Sequence, residues 1–138
     1  MTTVPVSKWM KAVTNVVNVN DPIWKAWRIM KESDIKVLPV MSNKRVVGLV
    51  TAKDIVRSSE HNGGQSMSVK EARSLDPLIV QQDQSLVEAV HFMLLKDQQY
   101  AIVVDAKNQV VGVFAWSEAF QFFLEKNQIQ FPIQRRFK

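Results

Sequence analysis

The side chains suited to covalent or metal chemistry are few. The chain has no cysteine, which excludes disulfides, thiolate metal sites and cysteine nucleophiles. Imidazole comes only from His61 and His91, which lack metal-ligand spacing. Ser58-Ser59 beside His61 makes no nucleophile elbow, and no acidic pair falls where it would face across a cleft. No catalytic residue and no metal site are assigned. One short group does carry a chemical use: Thr51 and Asp54, inside Gly48-Leu49-Val50-Thr51-Ala52-Lys53-Asp54. At a strand-to-helix junction, Thr51 can cap the helix or donate to a phosphate beside the unpaired first-turn amides. Asp54, in the first helical turn, can accept hydrogen bonds from two ribose hydroxyls. The same residues also read as a plain N-cap and an acid that complements the helix dipole.

The elements that must position this junction occur twice. With Val17 placed on Val80, Ala26 falls on Ala89, Met30 on Met93, Asp34 on Asp97 and Val40 on Val103. One extra residue in the second turn then sets Val46-Val47-Gly48 on Val110-Val111-Gly112, and upstream Val6 falls on Val69. Each copy opens with a short strand (16–19 and 78–80). A helix follows, with apolar stripes Ile23, Ala26, Trp27, Met30 and Leu86, Ala89, Val90, Met93. Asn20 or Asp21 can cap the first helix and Pro22 suits its first turn. Two strands around a tight turn come next (37–41 with 46–50, and 100–104 with 110–114), then a closing helix (52–59 and 117–126). The fold class is α+β, with two pseudo-symmetric β-α-β-β-α repeats. The first repeat with its N-terminal lead-in segment spans 1–62, a Gly-Gly linker 63–67, the second repeat 68–126, and a basic, aromatic arm 127–138. One copy of about 60 residues would bury a marginal core, so the two are expected to pack sheet to sheet as one module.

Of the 138 residues, 46% are hydrophobic, too many for a disordered chain. No apolar run approaches the roughly 20 residues of a membrane helix. No charged and apolar leader opens the sequence, so a cytoplasmic protein is the expectation. The net charge of +5 favours anionic partners as a class without selecting one.

The segment Ile35-Lys36-Val37-Leu38-Pro39-Val40, a turn, and Val46-Val47-Gly48-Leu49-Val50-Thr51-Ala52-Lys53-Asp54-Ile55 closely resembles the signature of a cystathionine-β-synthase-type (CBS) domain. The second copy repeats it more loosely, as Tyr100-Ala101-Ile102-Val103-Val104 and Val111-Gly112-Val113-Phe114-Ala115-Trp116-Ser117-Glu118. The tandem resembles a CBS pair, or Bateman module, from about Val6 to Glu125. The resemblance implies a non-catalytic regulatory module whose inter-repeat clefts bind adenosine-containing ligands. AMP, ADP or ATP is expected first, as in energy sensing, with S-adenosylmethionine or NAD as further candidates. It also implies a homodimer and an unidentified effector protein.

The same resemblance allots residues to the clefts. Thr51 and Asp54, with Leu49 and Lys53, would be completed from the other repeat by Leu78, Ile79, Gln98, Gln99 and Tyr100, with Tyr100 stacking on adenine. The second cleft departs from the pattern, with Ala115 at the Thr position and Glu118 at the Asp position. Ser117, Val113, Asn15, Val16, Ile35, Lys36 and Val37 would line it, Lys36 toward phosphate and Trp116 filling or gating. The Asp54 cleft is the one expected to be competent.

Two other readings follow from the residues. Trp24 lies off the buried stripe of its helix, whereas Trp27 belongs to it, and an exposed tryptophan suits an interface. A pair that binds no nucleotide and serves as a dimerisation or docking module is therefore the alternative. The arm Phe131-Pro132-Ile133-Gln134-Arg135-Arg136-Phe137-Lys138 interleaves basic and aromatic residues, a weak signal for nucleic acid with no recognised motif behind it. No membrane partner is expected.

Overall fold

Short β-branched runs alternating with helical stripes give a chain that enters and leaves two small sheets. The computed structural model describes residues 3–60 and 67–126; His61, most of the linker and the C-terminal arm lie outside the described residues. After a 3-10 turn at Val6–Lys8, the order is β1 (Lys11–Ala12), β2 (Val17–Asn18), α1 (Ile23–Ser33), β3 (Val37–Ser42), β4 (Arg45–Thr51) and α2 (Ala52–Ser59). It continues with α3 (Val69–Ala72), β5 (Leu78–Gln81), α4 (Leu86–Leu95), β6 (Tyr100–Val104), β7 (Val110–Ala115) and α5 (Trp116–Lys126).

The two repeats keep one register down to individual pairs. In each, the short strand runs parallel to the next strand, β2 with β3 and β5 with β6, and a hairpin follows. Val40 lies opposite Gly48 as Val103 lies opposite Gly112, and each hairpin carries a bulge one residue later. The backbone bond from Ala52 N–H to the Lys36 carbonyl (2.8 Å) has its equivalent from Trp116 N–H to the Gln99 carbonyl (3.1 Å).

Strand alternation sorts the side chains into three layers. Leu38, Val40 and Val50 face α1 and α2 with Ile23, Ala26, Met30 and Ile55. Ala101, Val103 and Phe114 face α4 and α5 in the second repeat. Between the sheets, Val37 and Leu49 of the first repeat meet Ile102, Val104 and Val113 of the second, the expected sheet-to-sheet packing. This central layer is what sets the two strand-to-helix junctions at the boundary between repeats.

The lead-in segments are exchanged, which sequence order does not suggest. Val6, from before the first repeat, is fully buried in the core of the second. Its N–H donates to the Gln84 carbonyl at 2.9 Å, and β1 pairs antiparallel with β7. Reciprocally, Val69 and Ala72, which precede the second repeat, pack in the core of the first, and Leu49 and Ser74 exchange backbone bonds. The crossing segments explain the shared glycine. A Cβ on Gly112 would stand 2.5 Å from the Met10 sulfur and 2.8 Å from the Lys11 carbonyl; one on Gly48 would stand 2.8 Å from both the Arg73 side chain and the Ser74 carbonyl. Each Gly admits the other half's lead-in against its strand.

One packing expectation is corrected. Trp27 is 47% exposed and Trp24 42%, so both indoles stand outside the core. The position matching Trp27 in the second repeat is Val90, which is buried; the larger indole instead opens onto a groove with Ile23, Trp24, Ile55, Val56 and Ser59.

Candidate functional site

Where β4 gives way to α2, the Thr51 hydroxyl accepts the Asp54 N–H at 3.0 Å, and Asp54 Oδ2 accepts the Thr51 N–H at 3.0 Å. This reciprocal capping box satisfies two amides that the helix start would otherwise leave open. It is the plain N-cap reading made real, and it does not use up the carboxylate. Oδ1 accepts no hydrogen bond among the described residues, so the lone pairs needed for ribose hydroxyls remain.

The junction of β7 and α5 is built differently. Ala115 has no hydroxyl to offer, and Glu118, one methylene longer, reaches back alone. Its Oε1 accepts the Ala115 N–H at 2.9 Å, and its Oε2 accepts the Ser117 hydroxyl at 2.7 Å. Both oxygens are engaged, though each retains acceptor capacity.

At this second junction the surface opens into a cleft of about 370 Å³, lined by Lys11, Val13, Asp34, Ile35, Lys36, Val37, Tyr100, Val113, Ala115, Ser117 and Glu118. It is a true inter-repeat cleft: 34–37 come from the first repeat, 113–118 from the second, and Lys11 and Val13 from the exchanged segment. Pairing of Lys11 with Val113 on the sheet edge fixes where that lysine enters. Asp34 and Glu118 thus line one cleft from opposite repeats, a placing of two carboxylates that the sequence did not suggest. With two ammonium groups and a phenol around apolar walls, they suit a ligand with an anionic end, hydroxyls and a flat ring.

The sequence-assigned residues distribute unevenly. Ile35, Lys36, Val37, Val113, Ser117 and Glu118 line this cleft, whereas the exposed Asn15 and Val16 do not, nor does Trp116. Tyr100, allotted by sequence to the Asp54 cleft, lines the Glu118 cleft. Leu49 is buried between the sheets and Leu78 in the second repeat's core. Leu78 and Ile79 together line a separate hollow of about 320 Å³ with Phe92 and Lys96. Gln98 is half-buried, and Gln99 and Lys53 are exposed. By repeat equivalence, Ser74, Asp76 and 97–100 stand to Asp54 as Lys11, Val13 and 34–37 stand to Glu118.

Lys11, Val13, Asp34 and the wall made by Ala115 were missing from the sequence assignment. Asp34 had a signal, since it repeats as Asp97 and both take the left-handed conformation with φ near 53° and 52°. Lys11 had none, because its place depends on the exchange.

Among the described residues no group of three or more His, Asp or Glu gathers that could hold a metal ion. No helix among them is long and apolar enough to cross a membrane.

Comparison with known proteins agrees with this architecture. The CBS domain profile matches residues 1–61 and 69–125. A probable arabinose 5-phosphate isomerase of Haemophilus influenzae is 32% identical over 91 residues, covering 64% of this chain and 27% of that protein. An inosine-5'-monophosphate dehydrogenase of Korarchaeum cryptofilum is 29% identical over 104 residues, covering 75% and 21%. The chain spans about a quarter of the length of these relatives. Among solved structures, CBSX2 in complex with AMP superposes with a TM-score of 0.72 at 20% identity, over 88% of this chain and 97% of that one. The CBS domain pair of MJ0100, in complex with 5'-methylthioadenosine and S-adenosyl-L-methionine, gives 0.76 at 19% identity, over 91% and 99%.

Proposed function

The chain belongs to the CBS domain family as a tandem pair, and from that premise we propose that it is a regulatory, non-catalytic module that binds an adenosine-containing nucleotide between its repeats. The observation that carries this is the 370 Å³ cleft lined by Lys11, Lys36, Tyr100 and Glu118. The phosphate lies toward Lys11 and Lys36, the adenine between Val37, Val113 and the Tyr100 ring, and the ribose hydroxyls donate to Glu118. Asp54, with its free Oδ1, is the pseudo-symmetric second site. The complexes of CBSX2 with AMP and of the MJ0100 pair with S-adenosyl-L-methionine support the ligand class.

The cleft draws its walls from both repeats and from the crossing lead-in. A ligand there favours one arrangement of the halves, and a partner protein that binds that arrangement better reads its presence. A homodimer belongs to this reading, since Trp24 and Trp27 leave an apolar groove of about 230 Å³ uncovered.

Calorimetric titration with AMP, ADP, ATP, S-adenosylmethionine and NAD tests the ligand. One of them should bind at about micromolar strength, one or two per chain. Silence across the panel from a stable dimer would instead leave a dimerisation or docking module.

A further inference from the structure

We propose that Asp34 limits the negative charge that the Glu118 cleft admits, so that the cleft takes a nucleoside monophosphate and discriminates against di- and triphosphates. This rests on the nucleotide reading above and narrows it to one ligand class and one specificity-determining residue. The starting point is a residue that local structure disfavours. Asp34 closes α1 in the left-handed conformation (φ 53°, ψ 47°), its N–H bonded to the Met30 carbonyl. That position favours glycine or asparagine, and a carboxylate there adds negative charge to the negative end of a helix. Asparagine would meet the same backbone demand without the charge. No local partner offsets the cost, since among the described residues the Asp34 side chain makes no hydrogen bond and no ion pair.

The cleft is where that carboxylate acts. Lys11 and Lys36 bring two positive charges into the lining, and Asp34 and Glu118 bring two negative ones. Neither lysine forms an ion pair among the described residues, and Glu118 is turned to the Ala115 N–H and the Ser117 hydroxyl. Lys8, Lys31, Glu32, Lys53 and Asp97 are exposed and stand outside the lining. By formal count the lining is therefore neutral. A monophosphate, at about −1.5 to −2 near neutral pH, sets its one charged group against the two lysines. Every further phosphate adds negative charge that no remaining cation of the lining meets and that Asp34 repels. The repulsion grows in proportion to the ligand's charge, so removing the carboxylate helps a triphosphate more than a monophosphate.

Calorimetric titration of the full chain with AMP and ATP, at low and high salt and with and without magnesium, is the test. The parent should bind AMP more tightly than ATP. At low salt, Asp34→Asn should tighten ATP about fivefold and AMP only about twofold, and Asp34→Lys should carry the same trend further. Glu32→Gln removes an equal charge from α1 outside the cleft and should leave the AMP-to-ATP ratio unchanged. High salt should shrink the effect of Asp34→Asn, because all these groups border solvent. A parent that prefers ATP, a ratio that Asp34→Asn does not move, or one that Glu32→Gln moves equally would overturn the role of Asp34 and leave the nucleotide site standing. So would a magnesium-dependent gain for ATP that is lost in Asp34→Asn, since the carboxylate would then recruit the triphosphate through a cation. Binding of S-adenosylmethionine or NAD with neither AMP nor ATP would overturn the monophosphate class alone. Silence toward all of these ligands would overturn the nucleotide reading with it.

Discussion

At the first strand-to-helix junction, Asp54 and Thr51 cap each other's amides and one carboxylate oxygen stays open; at the second, Glu118 has both oxygens engaged and no capping hydroxyl beside it. Yet the second junction forms the 370 Å³ cleft with Lys11 and Lys36 in its wall. The positions equivalent to those lysines at the first junction are Ser74 and Gln99. A motif can therefore be complete as a helix cap while the cations that suit an anionic ligand stand at its degenerate copy. On the proposed reading, helix capping and ligand chemistry are divided between two copies of one unit.

The sharpest way to break this comparison is to remove the cations from one side. Lys11→Ala with Lys36→Ala should weaken AMP binding by at least about tenfold, since two charge-assisted bonds to phosphate are lost. Adenosine, measured in the same calorimeter, should bind the variant and the parent alike. Equal losses for both ligands would place the lysines away from the phosphate.

Gly112→Ala tests whether the crossing segment builds the cleft. Its Cβ meets the Lys11 carbonyl at 2.8 Å, so we expect about 1–3 kcal/mol of destabilisation in denaturant unfolding, with weaker AMP binding in the folded protein. Gly48→Ala meets the Ser74 carbonyl at the same distance. It should destabilise comparably and leave AMP affinity nearly unchanged.

A smaller effect concerns the caps. Thr51→Ala should cost about 1 kcal/mol, read as a lower melting temperature. Ala115→Thr should add a few tenths to 1 kcal/mol by supplying the hydroxyl that the second junction lacks. If the two changes shift the melting temperature in the same direction, the capping difference between the junctions is not the source of their stability.

Much of the fold was legible in the sequence. The repeat register, the short strands, the hairpins and the buried stripe of α4 follow from spacing alone, because strand and helix periods leave little freedom in where apolar residues point. Trp27 was misplaced because spacing reports a face and not whether a large indole fits beneath its neighbours. The exchange of lead-in segments was hidden because Val6 and Val69 are equally apolar, and sequence order does not say which core receives which. Lys11 was missed for the same reason. Asp54 and Glu118 were legible from the repeated motif and Lys36 from the family resemblance, whereas Asp34 was not assigned to a cleft. Tyr100 was assigned to the Asp54 junction alone, whereas a strand start near the pseudo-two-fold axis borders both, and it also lines the Glu118 cleft.

The measurement that bears most directly on the proposed site is AMP titration of the parent chain beside Glu118→Ala and Asp54→Ala. We expect Glu118→Ala to lose AMP binding while Asp54→Ala retains it within about threefold, equivalent to roughly 0.7 kcal/mol. Loss of binding in Asp54→Ala with an unaffected Glu118→Ala would contradict it and move the nucleotide to the junction where the motif is intact.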